Sequence, residues 1–370
     1  MKKRIEEIDI IKAIAIIFMV AGHSGVEYSF VALFHMAVFF IASGFFVKET
    51  SSDSIKNVLD YVIKKIKKLW LPYFIWNSMF ILLNNFFIFI NVYTDNSNLL
   101  TFGFATNNTI HHYLSIKEII VGIIKTFFFY SDTELGRAFW FVKVLFGVSI
   151  LFCLFDYLLK RFITKYRFIC QIVISLVLLS VGYYLSVRHV DFLGIGRLCS
   201  CYCLYFFGNV LATVQKLYIN WNWKHMIFVL LLSTGILFIL RATGSVSIGT
   251  NEYPNPLFLL LSSLSGWCFL YSVSFFIKHT IIKPIFLILG KHTLIIVALH
   301  FLSFKIFAFF VCLIYNLPYY CIATFPNLLG SENFLWVGYC FVGVLIPVLF
   351  ELMYQRVFVL LKRKRKNSVE

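Results

Sequence analysis

The stretch "IDIIKAIAIIFMVAGHSG", residues 8 to 25, holds two ionisable groups, Lys12 and His23, inside an apolar run long enough to begin crossing a bilayer. An ionisable side chain within a membrane span is expensive and marks a functional hypothesis. Lys12 lies near one end, where its stem lets the ammonium snorkel to water, whereas His23 has no such exit. Eleven helical steps of about 100° bring the two side chains back to within about 20° of each other, about 16 Å apart along the axis, so they share a face. The next apolar run, "FVALFHMAVFFIASGFF", holds His35. With a turn around Ser29, His23 and His35 each fall six residues from it, which sets both imidazoles at similar depth on adjacent antiparallel helices. An imidazole, with its pKa near neutrality, suits proton abstraction from a hydroxyl. In "YVIKKIKKLWLPY" the lysines Lys64, Lys65, Lys67 and Lys68 follow one another within five positions. Their charge leaves two uses open: attraction to anionic lipid headgroups and a grip on the phosphates of a cytosolic cofactor. The pattern as a whole suggests a channel with a base in the membrane and cationic handles at its cytoplasmic mouth.

Groups spaced like this need helices to hold them, and the composition supplies them. At 60% hydrophobic and 14% charged residues the chain has too little polar surface for a water-soluble domain. Apolar stretches recur at the length a spanning helix needs, and only helices satisfy their backbone internally at that length. We expect an all-α integral membrane protein with about ten spans, near 8–27, 29–47, 69–93, 138–159, 168–187, 194–215, 225–243, 256–278, 285–315 and 334–361. The start reads as a first span rather than a secretory leader, because Glu6, Glu7 and Asp9 follow the basic residues and Lys12 interrupts the apolar core.

The formal charge of +16 is distributed unevenly. Lysines and arginines crowd alternate connections, among them Lys2 to Arg4, Lys48 to Lys68, Lys160 to Arg167 and the tail Lys362 to Lys366. By the positive-inside rule these connections and both termini are cytoplasmic. The basic balance thus reports topology and contact with membrane lipid, and gives no reason to expect nucleic acid. The chain reads as a single polytopic domain over 1–370, with a basic, disordered tail at 362–370. Cys199, Cys201 and Cys203 do not make a metal site, since alternate residues on a helix point about 200° apart. Outside, the 94–137 stretch carries Tyr93 at its edge, Phe102, Phe104, Tyr113 and the run "GIIKTFFFYSD". It suits a helix at the outer interface, or a lid whose rings stack on a sugar.

Five blocks, "IDIIKAIAIIFMVAGHS", "FHMAVFFIASGFF", "KKIKKLWLPY", "FWFVKVLF" and "LGKHTLIIVALH", resemble in this order the sequence blocks of the membrane-bound acyltransferase family 3. These proteins move acyl groups, commonly acetyl from acetyl-CoA, onto sugars and other acceptors. The resemblance runs over nearly the whole chain. It implies a multi-pass protein of the bacterial inner (cytoplasmic) membrane with both termini inside. It implies no tightly bound cofactor and no metal, with acyl-CoA as co-substrate and a cell-surface or lipid-linked glycan as acceptor. The family's basic-x10-His motif falls on Lys12 and His23, implying His23 as the catalytic histidine and Lys12 as its partner, and the second-helix histidine maps to His35. The family's paired basic motif falls on Lys65 and Lys68. Here both are lysine instead of arginine, which loses bidentate phosphate geometry and leaves Lys64 with Lys67 as the other pair. The tryptophan block places Trp140 at the outer end of the fourth helix, and the late "LH" maps to His300, both as possible substrate or channel residues. On residue types alone the rival is a transporter or flippase, in which intramembrane His and Lys serve proton coupling. The chain shows no matching inverted halves to favour it.

Overall fold

The computed structural model describes residues 5–26, 29–101, 108–130, 132–190, 192–215 and 221–367. Lys2 to Arg4, Phe102, Phe104 and residues 368–370 lie outside them. The described residues form helices joined by turns and hold no strand, only an isolated bridge between Ser247 and Glu252. The helices are α1 Glu6–His23, α2 Ser29–Ala32, α3 His35–Phe45, α4 Ile55–Lys65, α5 Leu71–Leu82, α6 Asn84–Phe89, α7 Ile116–Phe127 and α8 Trp140–Phe162. They continue with α9 Arg167–Val187, α10 Ile195–Thr213, α11 Trp223–Thr243, α12 Pro256–Ile277, α13 Lys283–Lys291, α14 Thr293–Ile314 and α15 Leu335–Asn367. The basic residues read as a disordered tail continue α15 as helix to Asn367.

Seven helical stretches among the described residues are long and apolar enough to cross a membrane, beginning at Arg137, Thr164, Phe192, Trp223, Pro256, Thr293 and Leu335. The other three expected spans take different forms. The first is an 18-residue helix bearing Glu6, Glu7, Asp9 and Lys12, and the second is broken between Ala32 and His35. In the third, a π-helical turn at Ile66–Trp70 joins α4 to α5. The helix path therefore starts at Ile55, not near residue 69. It breaks at Leu83, where Asn84 and Asn85 turn aside to donate to the carbonyls of His112 and Leu114 at 2.9 Å.

The central helix is α1. Residues all round it are buried, and α3, α12, α13, α14 and α15 pack against it. Its first turn is tied down by Glu6 to Lys283 at 2.9 Å and Glu7 to Lys278 at 2.6 Å, with the carboxylates at the positive end of the helix dipole. By contrast, the apolar windows of α9 and α11 are only 22% buried, and rows such as Ile169, Val173, Leu176 and Val177 face outward as a lipid-facing surface would. Helices in lipid gain little from hydrophobic burial against one another, so close backbone approach supplies the contact. It is closest where α3 crosses α10, with Gly44 against the Tyr205 carbonyl and Gly208 against the Ile41 carbonyl.

A buried polar cluster fixes the connection after α3. Asp156 of α8 accepts from Ser52 and from Arg167, 2.7 Å from Nε, while Lys160 reaches the Glu49 carbonyl and Asp53 at 2.6 Å. The 94–137 stretch does not lie apart as a surface lid. Its helix α7 opens on a capping box, in which the Ser115 hydrogen bonds and that of His112 hold the Glu118 carboxyl down at about 2. It then runs antiparallel along α5, so that its far end receives Trp70 Nε1 at the Phe127 carbonyl, 3.3 Å away.

Candidate active site

His23 ends α1 and so projects beyond the last full turn, into a cavity of about 180 Å³. Ile16 and Met19 line the same cavity from α1, and His35, Met36 and Phe39 line it from α3. Trp140 and Phe141 close one side from the start of α8. The two histidines expected to share a depth therefore share a cavity. Among the described residues the His23 ring makes no hydrogen bond to protein. Its main chain is well held: the His23 carbonyl, left without a partner by the end of the helix, accepts from Asn327 Nδ2 at 2.8 Å. Asn327 Oδ1 in turn accepts from Gly330 N at 2.8 Å, and this turn packs on Ser24 and Gly25.

The other two imidazoles have a fixed tautomer, because each Nδ1 faces a carbonyl, which only accepts. His35 Nδ1 donates to Val31 O at 2.9 Å, and His300 Nδ1 donates to the carbonyls of Ile296 and Val297 at 2.9 and 3.1 Å. Their acceptor lone pairs are thus on Nε2. His300 is fully buried and stacks behind His23, the ring centroids 5.5 Å apart and 27° from parallel. Phe301 packs 4.9 Å from the His23 ring as well. The ring is thus braced from α14 while the cavity side stays open for chemistry.

The roof comes from a segment that sequence reasoning passed over. Val246 to Gly249 line the cavity, and no described residue of 94–137 does. This turn is pinned from below by Arg197 Nη1 to the Gly249 carbonyl at 3.1 Å and by Asn251 Nδ2 to the Gly182 carbonyl at 3.1 Å. The Arg197 guanidinium also sits 5.5 Å over the Trp140 ring. Small polar residues in "TGSVSIGTNEY" carried no signal beyond that of an ordinary turn.

A second cavity, of about 520 Å³, lies next along the same two helices. Lys64, Lys65 and Lys68 line it together with Lys48, Asp60 and Tyr61, while Ser43 comes from α3, Phe46 from just past its end and Leu145 from α8. Lys67 is exposed and outside the lining, so the pair Lys65 and Lys68 faces the cavity and Lys67 does not. The π turn and the amphipathic α4 sort these groups: Ile55, Leu59, Ile63 and Ile66 are exposed on the outside. Lys65 Nζ lies 5.1 Å over the Tyr61 ring, whose hydroxyl meets that of Tyr205 at 2.8 Å. Lys12, by contrast, lines neither cavity and is paired with the buried Asp9 at 2.8 Å.

Two cavities on one pair of helices, one rich in lysine and one in histidine, offer a site for a phosphorylated donor beside a site for proton transfer. No curated protein and no solved structure matches the chain. A family model described as an acyltransferase domain matches residues 5–352, from the first turn of α1 into α15, and with its helices this makes the chain a multi-pass member of the membrane acyltransferase family 3.

Proposed function

We propose that this protein moves an acyl group, most naturally acetyl from cytosolic acetyl-CoA, onto a hydroxyl of a cell-surface or lipid-linked glycan at the bacterial inner membrane. The observation that carries this reading is the stacking of the lysine cavity on the histidine cavity along α3 and α8. With both termini cytoplasmic, the lysine cavity opens to the cytosol. Lys65 and Lys68 hold the phosphates of the coenzyme, with Lys64 beside them, and the pantetheine arm carries the thioester toward His23. Lys12 keeps the entrance end of α1 in place through Asp9.

The acceptor hydroxyl enters beneath Val246 to Gly249, against Trp140, in the cavity that His35 also lines. His23 takes the hydroxyl proton as the oxygen attacks the thioester carbonyl. The new C–O ester bond forms, the C–S bond breaks, and the leaving thiolate takes the proton back from the imidazolium to give the free thiol. His300 keeps the His23 ring aimed at the cavity through both transfers. Since no side chain other than His23 need change charge, the cavity can stay dry.

The test is incubation of the purified, detergent-solubilised protein with acetyl-labelled acetyl-CoA and an extract of envelope glycans. Label appearing on glycan and released by mild alkali, as an ester is, bears the reading out. Coenzyme binding with no label on any acceptor overturns it. In the same assay Lys65→Ala and Lys68→Ala should each raise the KM for acetyl-CoA by roughly 10-fold or more, the worth of a charge-assisted hydrogen bond, with kcat changing less. Unchanged KM values would return these lysines to a role as lipid contacts.

A further inference from the structure

The two cavities share no lining residue. His35, Phe39 and Ser43 succeed one another at four-residue intervals along α3, and Phe141 and Leu145 do the same on α8. His35, Phe39 and Phe141 line the histidine cavity, and Ser43 and Leu145, one step further on, line the lysine cavity. At the junction stand two phenylalanine rings, Phe39 and Phe141, with centroids 5.3 Å apart. Phe40 packs edge-on against Phe141 at 5.4 Å and backs it from α3. One helical turn, about 6 Å, separates the two spaces.

The histidine cavity, at about 180 Å³, falls below the roughly 300 Å³ at which pockets begin to take whole drug-sized ligands. It has room for an acyl group and the reacting end of an acceptor. A thioester carbonyl placed at His23 leaves its acyl chain inside this space, with the touching rings of Phe39 and Phe141 as the floor.

We propose that Phe39 and Phe141 set the acyl chain length, restricting the donor to short acyl thioesters by denying longer chains room beneath His23. This rests on the acyl-transfer reading above. Each extra methylene that an apolar pocket rejects is worth roughly 10-fold to 200-fold in discrimination, so opening the floor should be visible in competition between chains.

The experiment measures transfer from acetyl-, butanoyl- and hexanoyl-CoA to the same glycan extract by wild type, Phe39→Ala, Phe141→Ala and the milder Phe141→Leu. The readout is the butanoyl-to-acetyl ratio of kcat/KM within each preparation, which does not depend on how much of a variant folds. The expected result is a ratio raised about tenfold or more in the alanine variants and by less in Phe141→Leu. Wild type transferring acetyl with every variant keeping its ratio would overturn the floor and leave the function standing. Variants inert toward both chains, Phe141→Leu included, would make these rings plain packing residues and also overturn it. Wild type inert toward every thioester would remove the acyl-transfer reading and the floor with it.

Discussion

Replacing His23 with alanine lowers acyl transfer by roughly 10²-fold to 10⁴-fold, the usual worth of a general base, while the protein still purifies as a monodisperse species and still binds acetyl-CoA. The expectation rests on a division of labour within one residue. The side chain faces the cavity and makes no hydrogen bond to protein among the described residues, so its removal leaves no buried polar group stranded. The bond that fastens the end of α1 to the loop after α14 uses the carbonyl, which accepts from Asn327 and survives in the alanine variant. In the proposed function the donor binds in a different cavity, whose lining does not include His23. The decisive measurement is kcat with saturating acetyl-CoA beside the coenzyme dissociation constant for both proteins. A variant with normal kcat would remove His23 from the chemistry, and His35 would be the next base to test.

How much of this site could be read beforehand depends on how local each relation is. That His23 and His35 meet followed from counting residues on either side of a turn, and both do line one cavity. The sorting of the lysines was half legible: their crowding showed in "KKIKK", but which of them face inward depends on the π turn at Ile66–Trp70, for which hydropathy has no signature. The sequence reads Lys12 as a snorkelling cation and, through the resemblance, as the partner of His23. Its partner Asp9 stood three residues away in plain view, a spacing that favours an ion pair on one helix face. The stacking of His300 on His23 joins residues from α1 and α14, and the roof at Val246 to Gly249 comes from a turn with no chemical signal. Such contacts are set by how helices pack, which the apolar runs leave open because lipid-facing and partner-facing surfaces have the same composition. The break at Leu83 was legible after all, in the adjacent Asn84 and Asn85 that an uninterrupted span would not carry.

Gly208→Leu should not yield a folded protein, and Gly208→Ala should unfold at a clearly lower temperature in detergent, a loss of about 1–3 kcal/mol for overpacking where nothing flexible can yield. A Cβ on Gly208 would stand 1.9 Å from the Ile41 carbonyl oxygen, and one on Gly44 the same distance from the Tyr205 carbonyl oxygen. Both obstacles are main chain, so relief requires α3 and α10 to move apart, giving up the close approach that holds helices together in lipid. Gly235→Ala in α11 is the control: a Cβ there meets nothing within 4 Å, so the variant should melt as the wild type does or slightly higher. Equal melting of Gly208→Ala and Gly235→Ala would show that the crossing is looser than these contacts imply. The damage should also reach the chemistry in any Gly208→Ala protein that folds. Helix α3 carries His35 and Phe39 into one cavity and Ser43 into the other, so displacing it moves a wall of both at once. A misplacement of about 1 Å is enough to cost roughly 10²-fold in rate. Activity per folded molecule should therefore fall in Gly208→Ala and hold in Gly235→Ala, tying the tightest contact between helices to the alignment of donor, base and acceptor.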